Sequence, residues 1–263
     1  MKIVIIGTGN VATQLGLAFK NAKHKILQIV ARNAREGTFL AIKLNSVYKK
    51  DFRNLDPSAD LYVLAVSDKA IAAVLKKISL KDKLIVHTSG SVSIKIFERK
   101  FKRCGVFYPL NTILKNSKVD FRNTLICVES KNRTDEKRVF RLGKSISDRV
   151  YKINSEQRTV LHLSAVFANN FTNHMYAIAE EILKRNKMPF HFIIPMIAEA
   201  VNKIKIASPS EIQTGPAKRR DKKIIAKHLR LLSKYPEYKK IYRDVSDSIM
   251  KKYPIALAHP LIP

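Results

Sequence analysis

The chain has 263 residues, of which 46% are hydrophobic, and this suits a globular protein with a buried core. A transmembrane helix needs about 18 consecutive apolar residues, and no uninterrupted apolar run is that long, so we expect no membrane as a partner. Lysine and arginine number 50 against 21 acidic residues, which gives a net charge of +29. Such a charge attracts polyanions, but no zinc finger, RNA-binding signature or Arg-Gly repeat accompanies it. We therefore do not expect nucleic acid to be the physiological partner.

The sequence favours a cytoplasmic protein without a bound metal. Its two cysteines, Cys104 and Cys127, show neither the spacing of a metal site nor that of a disulfide framework. The apolar stretch that ends at Gly7 is too short for a signal peptide and is typical of a first buried strand.

Short apolar runs that predict strands alternate with amphipathic segments that predict helices over the first half of the chain. The strands are expected at residues 2–6, 25–31, 60–66, 83–89, 105–108, 123–129 and 148–153. The helices between them are expected at 10–22, 35–45 and 68–78. This alternation predicts an α/β fold with a doubly wound parallel sheet.

The pattern changes after residue 153, where strands give way to helices alone. Helical segments are expected at 155–186, 190–207, 222–234 and 238–253, with Ser155 as the N-cap of the first. The sequence therefore predicts two domains, an α/β domain over residues 1–153 and a smaller all-helical domain over residues 154–263.

A glycine turn joins the first strand to the first helix and has the form G-x-G-x-x-A. It consists of Gly7, Thr8, Gly9, Asn10, Val11 and Ala12. Gly7 permits a tight turn, Gly9 allows close approach of a pyrophosphate, and Ala12 lets the helix pack against the strand. A pyrophosphate would then lie at the helix N-terminus, where free N–H groups favour negative charge. We therefore expect a dinucleotide site here, the alternative being a turn with a structural role only.

The end of the second strand indicates which dinucleotide binds. An NAD site usually has an acidic residue there, but this sequence has Arg32 and Asn33 instead. A guanidinium can contact a 2′-phosphate through two hydrogen bonds, so NADP(H) is favoured over NAD. Arg35 is either a second contact or a solvated helix residue. Val66 and Ser67 end the third long strand and are expected to border the nucleotide, whereas Asp68 is expected to cap the next helix.

Polar residues after the next strand are candidates for the reaction side of the site. His87, Ser89 and Gly90 belong to the loop "HTSGS", which either faces the nicotinamide or is only a polar turn. Pro109 belongs to "FYPLNT", where Tyr108, Asn111 and Thr112 either line the site or merely connect two elements.

The first long helix of the second half carries a polar row on one face. On a helical wheel His162, Asn169, Asn173 and Glu180 lie close to one line. Asn and His are costly to bury unpaired, so the row suits a face that binds substrate or passes a proton. His162 is our first candidate for the general acid or base, against a structural histidine as the alternative. Thr214 and Arg219 lie in a later Gly-Pro loop and are expected to help bind substrate.

The glycine turn, "HTSGS", "FYPL", "NSEQR", "LHLSAVFANNFTNH" and "QTGPAKRRD" together resemble a bacterial family of Rossmann-like proteins with a C-terminal helical domain of unknown function. That family is related to pyrroline-5-carboxylate reductase, deazaflavin-dependent NADP reductases and the β-hydroxyacid dehydrogenases. The resemblance implies a Rossmann sheet that binds NADP(H) on residues 7–12, with Arg32 at the 2′-phosphate. It also implies a homodimer through the helical domain. Hydroxyacid dehydrogenases carry a lysine on the first long helix of that domain with an asparagine one turn later, whereas this helix offers His162, Asn169 and Asn170 instead.

Three functions follow from these features. The favoured hypothesis is an NADP(H)-dependent oxidoreductase that acts on a small carbonyl, imine or hydroxy compound in the cleft between the domains. Here His162 or His87 serves as acid or base, and Ser89, Asn169 and Asn173 orient the substrate. The second is a non-catalytic NADP(H)-binding sensor or scaffold, which needs no proton donor. The third is a protein that associates with nucleic acid through its charge.

Overall fold

The computed structural model describes residues 1–97, 100–114 and 119–254, and it divides into two compact units. The first unit, Met1–Asn170, contains the sheet and the helices around it, and the second begins at Phe171. The domain boundary at residue 153 stays a prediction, and residues 255–263 of the predicted helical domain lie outside the described residues.

The first unit alternates strands and helices. Its strands are β1 (Lys2–Ile6), β2 (Lys25–Val30), β3 (Val47–Lys49), β4 (Leu61–Leu64), β5 (Leu84–His87), β6 (Cys104–Leu110), β7 (Leu125–Ser130) and β8 (Val150–Lys152). Its helices are α1 (Asn10–Asn21), α2 (Ala34–Leu44), α3 (Asp68–Lys77), α4 (Arg133–Ile146) and α5 (Ser155–Ala165).

The eight strands form one sheet in the order β3-β2-β1-β4-β5-β6-β7-β8. Every neighbouring pair is parallel except β6 and β7, which run antiparallel. The chain builds outward from β1 to β3 and then returns to β4 on the other side of β1. Ligands of doubly wound sheets bind at the carboxyl ends of the strands where the order reverses in this way. The topology therefore places a candidate site beyond the ends of β1 and β4.

Helices cover both faces of the sheet, which explains why the central strands are continuous apolar runs. Ile3 and Ile5 of β1 point to one face and belong to a buried cluster with Leu15 of α1. Val4 and Ile6 point to the other face and pack in a second cluster. The predicted α/β class with a doubly wound sheet is confirmed, with the antiparallel β6–β7 pair as the departure from a fully parallel sheet. Strand β3 and helix α4 lie outside the predicted elements.

The second unit is helical over its described residues. It contains α6 (Thr172–Arg185), α7 (Ile194–Lys203), α8 (Lys222–Leu231) and α9 (Pro236–Lys252), with short 3-10 segments at Phe190–Ile193 and Leu232–Lys234. None of the helices in the described part of the chain is long and apolar enough to cross a membrane.

The predicted helix over residues 155–186 consists of three parts. Helix α5 passes into a π-helical turn, Val166–Phe171, and only then into α6. The sequence suggested Ser155 as the N-cap of α5, but the N-cap in the structure is Asn154. The Asn154 side chain accepts from the Gln157 N–H, and the Gln157 side chain accepts from the Asn154 N–H, which is a complete capping box. The Ser155 hydroxyl is thereby left to bond outside the helix.

Candidate active site

Gly7 makes the tight turn between β1 and α1 possible. Its φ of 123° lies in the region that favours glycine, and a Cβ there would lie 2.1 Å from the Ala65 carbonyl oxygen. The Gly7 N–H donates to the Val30 carbonyl at 2.8 Å, which ties the turn to the end of β2. Any side chain at position 7 would push the end of β4 away from β1.

Gly9 leaves the N-terminus of α1 open. It is the N-cap of this helix and makes no side-chain cap, and the first turn contains no acidic residue. A Cβ on Gly9 would meet no protein atom within 4 Å. The free N–H groups and the positive end of the helix dipole therefore face open space that suits an anion. Ala12, fully buried one turn later, lets α1 pack tightly on the sheet. These residues fit the pyrophosphate of a dinucleotide.

A cavity of about 940 Å³ extends from this turn over the carboxyl ends of the strands. Most of the predicted nucleotide residues line it, namely Gly7, Thr8, Gly9, Asn10, Val11, Arg32, Asn33, Val66 and Ser67, whereas Ala12 lies beneath it. Ser89, Gly90 and His162 from the predicted reaction side line the same cavity. The fold thus brings the glycine turn and the first acid–base candidate to one space.

Arg32 lies at the end of β2 and is the only lysine or arginine among the described lining residues. Asn33 beside it caps α2 by accepting from the Glu36 N–H. Arg35 is exposed and does not line the cavity. Phe52, which the sequence did not indicate, contributes an aromatic ring to this wall. Sequence analysis could not indicate Phe52, because this residue follows β3, a three-residue edge strand without the apolar alternation that predicts a strand.

The sequence suggested that Asp68 caps α3, and this prediction is wrong. Ser67 holds the N-cap position, and Asp68 is the first helical residue. The Asp68 carboxylate instead accepts a hydrogen bond from the Ser91 hydroxyl at 2.6 Å. The Ser89 hydroxyl in turn accepts from the N–H groups of Ser91 and Val92. These bonds fix the "HTSGS" loop along the cavity wall.

Tyr108 and His162 form a hydrogen-bonded pair in the cavity. The Tyr108 hydroxyl lies 2.9 Å from Nδ1 of His162, and the two rings meet edge to face. Burial raises the pKa of Tyr108 to about 12, so its hydroxyl keeps its proton at neutral pH. A neutral hydroxyl joined to an imidazole is a suitable general acid, because the imidazole can replace the proton that the hydroxyl donates.

Gly90 packs against both members of this pair. A Cβ at position 90 would lie 2.7 Å from the Tyr108 ring and 2.8 Å from Nδ1 of His162. The missing side chain therefore makes room for the Tyr108–His162 contact. Sequence analysis left Tyr108 undecided between lining residue and connector. The signal for a bulky pair opposite the loop is Gly90, three residues after the histidine that ends β5.

His87 does not reach the cavity. It is fully buried, stacks on Phe97 at a centroid distance of 5.5 Å, and its Nδ1 accepts from the Ser89 N–H. Burial, followed by the nearby Arg158 charge, lowers the pKa of His87 to about 3. The predicted catalytic role of His87 is therefore not supported by its position. Pro109 is likewise buried, within β6 opposite Ile126, and does not line the cavity.

The π-helical turn separates the members of the predicted polar row. Asn169 lies in this turn, and its side-chain amide donates to the Thr112 hydroxyl. Asn173 belongs to the second unit, where it lines a separate cavity of about 370 Å³ with Tyr176 and Glu180. A wheel with a constant angle per residue fails here because a π turn contains more residues than an α turn.

Thr214 and Arg219 are exposed residues of the second unit. Their assignment to the substrate stays a prediction.

Comparisons with known proteins match both parts of the chain. Residues 2–90 match the family described as NADP oxidoreductase, coenzyme F420-dependent, and residues 124–249 match a domain of unknown function, DUF2520. The structure of a proposed NADP oxidoreductase from Bacteroides fragilis is 38% identical, covers 95% of this chain and 98% of its own, and superposes with a TM-score of 0.90. The chain belongs to this family of DUF2520 oxidoreductases. No curated protein matches the sequence.

More distant structures share the fold of this DUF2520 oxidoreductase. Pyrroline-5-carboxylate reductase from Streptococcus pyogenes is 17% identical over 96% of this chain and 98% of its own, with a TM-score of 0.63. An imine reductase from Myxococcus stipitatus, in complex with NADP+, is 15% identical over 95% of this chain and 92% of its own, with a TM-score of 0.67. The resemblance inferred from the sequence motifs is therefore confirmed.

Proposed function

We propose that the chain is an NADP(H)-dependent oxidoreductase that interconverts a small carbonyl or imine with its reduced hydroxy or amino form. The observation that carries the proposal is the Tyr108–His162 hydrogen bond in the same cavity as the open glycine turn. The turn accounts for a dinucleotide, and the pair accounts for a proton donor. The imine and pyrroline-carboxylate reductases that share the fold support this choice of substrate class.

The protein's part in the reaction is to bind, orient and protonate. The N–H groups at the start of α1 would hold the pyrophosphate, and Arg32 would bind the 2′-phosphate. NADPH, when bound, would supply the hydride that reduces the C=N or C=O group. The Tyr108 hydroxyl donates its proton to the nitrogen or oxygen of that group. His162, in its doubly protonated imidazolium form, then gives its Nδ1 proton to the Tyr108 oxygen and is left as a neutral imidazole with its proton on Nε2, so that charge and atoms balance.

The exposed apolar side chains of the second unit support a homodimer as the functional oligomer. Among residues 171–254 only Ala217 and Ser246 are buried. Large apolar side chains of this unit are exposed, including Met196 at 64% and Ile204 at 50%. Large apolar side chains left exposed together in one unit are typical of an interaction site. A second copy of the chain would bury these side chains and supply the core that the unit lacks.

Oxidation of NADPH in the presence of a panel of small cyclic imines and ketones tests the proposed activity. We expect turnover by the wild type and a loss of about 100-fold or more in kcat for Tyr108→Phe and His162→Gln, the range seen for general acids. Tyr62→Phe is a matched control, because its hydroxyl bonds the Asp56 carbonyl away from the cavity. NADPH binding without turnover of any compound would instead favour the non-catalytic sensor.

Sedimentation equilibrium tests the homodimer. We expect a dimer for the wild type and a monomer for the double variant Met196→Glu with Ile204→Glu. Ile42→Glu is the control, since Ile42 is 76% exposed on α2 of the first unit and should leave the dimer intact. A monomeric wild type at micromolar concentration would contradict the proposal.

A further inference from the structure

Arg158 is a fully buried arginine in the first turns of α5. Its Nη1 donates to Oε2 of Glu129 at 2.6 Å, and its Nη2 donates to the Val92 carbonyl at 2.5 Å and to the Ser155 hydroxyl at 3.2 Å. An arginine is almost never fully buried unless it is paired, because removing the charge from water is costly. Replacement of a buried ion pair by apolar side chains of similar volume is often neutral or stabilising. The ion pair therefore needs a reason other than stability.

The partners of Arg158 belong to three different pieces of the first unit. Glu129 lies on β7, opposite Val106 of β6. Val92 follows the "HTSGS" loop, and Ser155 begins α5. The Ser155 hydroxyl also donates to Glu129 at 2.8 Å and accepts from the Ile94 N–H at 2.9 Å. One guanidinium thus joins the sheet, the loop and the helix.

The same three pieces also carry Tyr108, His162 and the glycine that packs against both, Gly90. Tyr108 lies on β6 two residues beyond Val106, and Gly90 lies in the loop. His162 follows Arg158 by four residues, so both side chains project from nearly the same face of α5. The space around Gly90 leaves little freedom, since even a Cβ there would press on the pair. A small rotation of α5 would therefore break the Tyr108–His162 bond.

We propose that the buried Arg158–Glu129 ion pair is a positioning device that sets the orientation of α5 and thereby holds His162 against Tyr108. The proton transfer assigned to Tyr108 and His162 rests on the proposed function, but the positioning of His162 by the ion pair does not. The planar guanidinium suits this task because its fork fixes direction as well as distance, which a single apolar contact cannot do.

The imidazole nitrogen shifts of His162, measured by NMR on histidine-labelled protein, report this positioning without any substrate. The signal is assigned by its loss in His162→Gln, and Tyr108→Phe gives its value without the hydrogen bond. We expect Arg158→Met to move the His162 Nδ1 signal to the Tyr108→Phe value. Arg103→Met is the matched control, because Arg103 forms an ion pair with the buried Asp135 in the same unit and its side chain also bonds the Asp82 carbonyl, and neither partner lines the cavity. This control should lower the melting temperature and leave the His162 signal unchanged.

Arg158→Lys keeps the experiment decisive if Arg158→Met does not fold, since it keeps a positive charge beside Glu129 but lacks the planar fork that fixes direction. A His162 signal that stays at the wild-type value in the folded variant would overturn the proposal. With an imine that the wild type reduces, the variant should lower kcat by about tenfold or more while KM and the NADPH affinity stay nearly constant. A shifted His162 signal in a protein that turns over no substrate would sustain the positioning role and contradict the proposed function. Wild-type turnover in a variant whose His162 signal is unshifted would contradict the positioning role and leave the proposed function standing.

Discussion

The side-chain amide of Asn169 donates a hydrogen bond to the hydroxyl of Thr112, and a π-helical turn brings the two together. Thr112 follows the end of β6, in the segment whose neighbours Asn111 and Ile113 line the cavity. The backbone of this segment also meets the glycine turn, because the Asn10 side chain donates to the Ile113 carbonyl at 2.9 Å. Hydrogen bonds from the π-helical turn and from the glycine turn therefore both hold this segment. π turns of this kind are frequent at functional sites.

Thr112→Val should weaken the hold on this segment while preserving the shape of the side chain. Loss of one hydrogen bond corresponds to about 1 kcal/mol, so we expect kcat/KM to fall by about fivefold with little change in melting temperature. Thr159→Val is the control, because the Thr159 hydroxyl bonds only the Ser155 carbonyl of its own helix. Equal effects of the two variants would show that the Asn169 contact has no role in catalysis.

A comparison of Gly9→Ala with Gly7→Ala separates a phosphate site from a structural turn. Gly9 has a φ of −70° and open space around its missing Cβ, so alanine should be accepted without loss of stability. The added methyl group would nevertheless occupy the place where a pyrophosphate approaches the backbone. We expect calorimetry to show NADPH binding weakened by about tenfold or more, with an unchanged melting temperature.

Gly7→Ala should act through folding instead. Its positive φ and the 2.1 Å approach to the Ala65 oxygen predict a loss of about 2 kcal/mol or more in the free energy of unfolding. Unchanged NADPH affinity in Gly9→Ala would mean that the turn has only a structural role.

Arg32 should determine the preference for NADPH over NADH. Loss of charge-assisted hydrogen bonds to a phosphate corresponds to about 1.5–3 kcal/mol, so Arg32→Ala should weaken NADPH binding by about tenfold to 100-fold. NADH binding should stay nearly constant. Arg35→Ala is a matched control from the same segment, since Arg35 does not line the cavity. Similar affinities of the wild type for both nucleotides would contradict the assignment of NADP(H).

The nucleotide half of the site could be predicted from the sequence because its requirements are local. A strand, two glycines at fixed spacing, a helix and an arginine at the next strand end are all short-range signals. The reaction half depends on long-range contacts: Tyr108 and His162 are 54 residues apart in the sequence. Sequence analysis named His162 but could not show that Tyr108, and not another polar residue, lies beside it.

Two predictions about the reaction side rested on information that the sequence does not contain. His87 ends a strand like a ligand residue would, yet its side chain points into the core, a direction that depends on strand register. Asn173 was grouped with His162 because a regular α-helix was assumed. A π turn has no reliable sequence signature, so the change of phase after Ala165 could not be foreseen.

His87 should make stability depend on pH in a way that a variant can isolate. Because burial lowers its pKa to about 3 in the folded chain, the unfolded chain binds a proton near pH 6.5 that the folded chain does not. Proton binding therefore lowers the free energy of the unfolded state as the pH falls below about 6.5, and the folded state loses up to about 1.4 kcal/mol of stability per pH unit from this residue. In His87→Asn the amide oxygen can still accept from the Ser89 N–H, but the proton site is absent. The variant should be less stable at pH 7 because of the cavity it creates, and its stability should fall less steeply than that of the wild type between pH 6.5 and pH 5. Urea unfolding across that interval measures the difference, and parallel pH profiles for the two proteins would show that His87 is not a buried neutral imidazole.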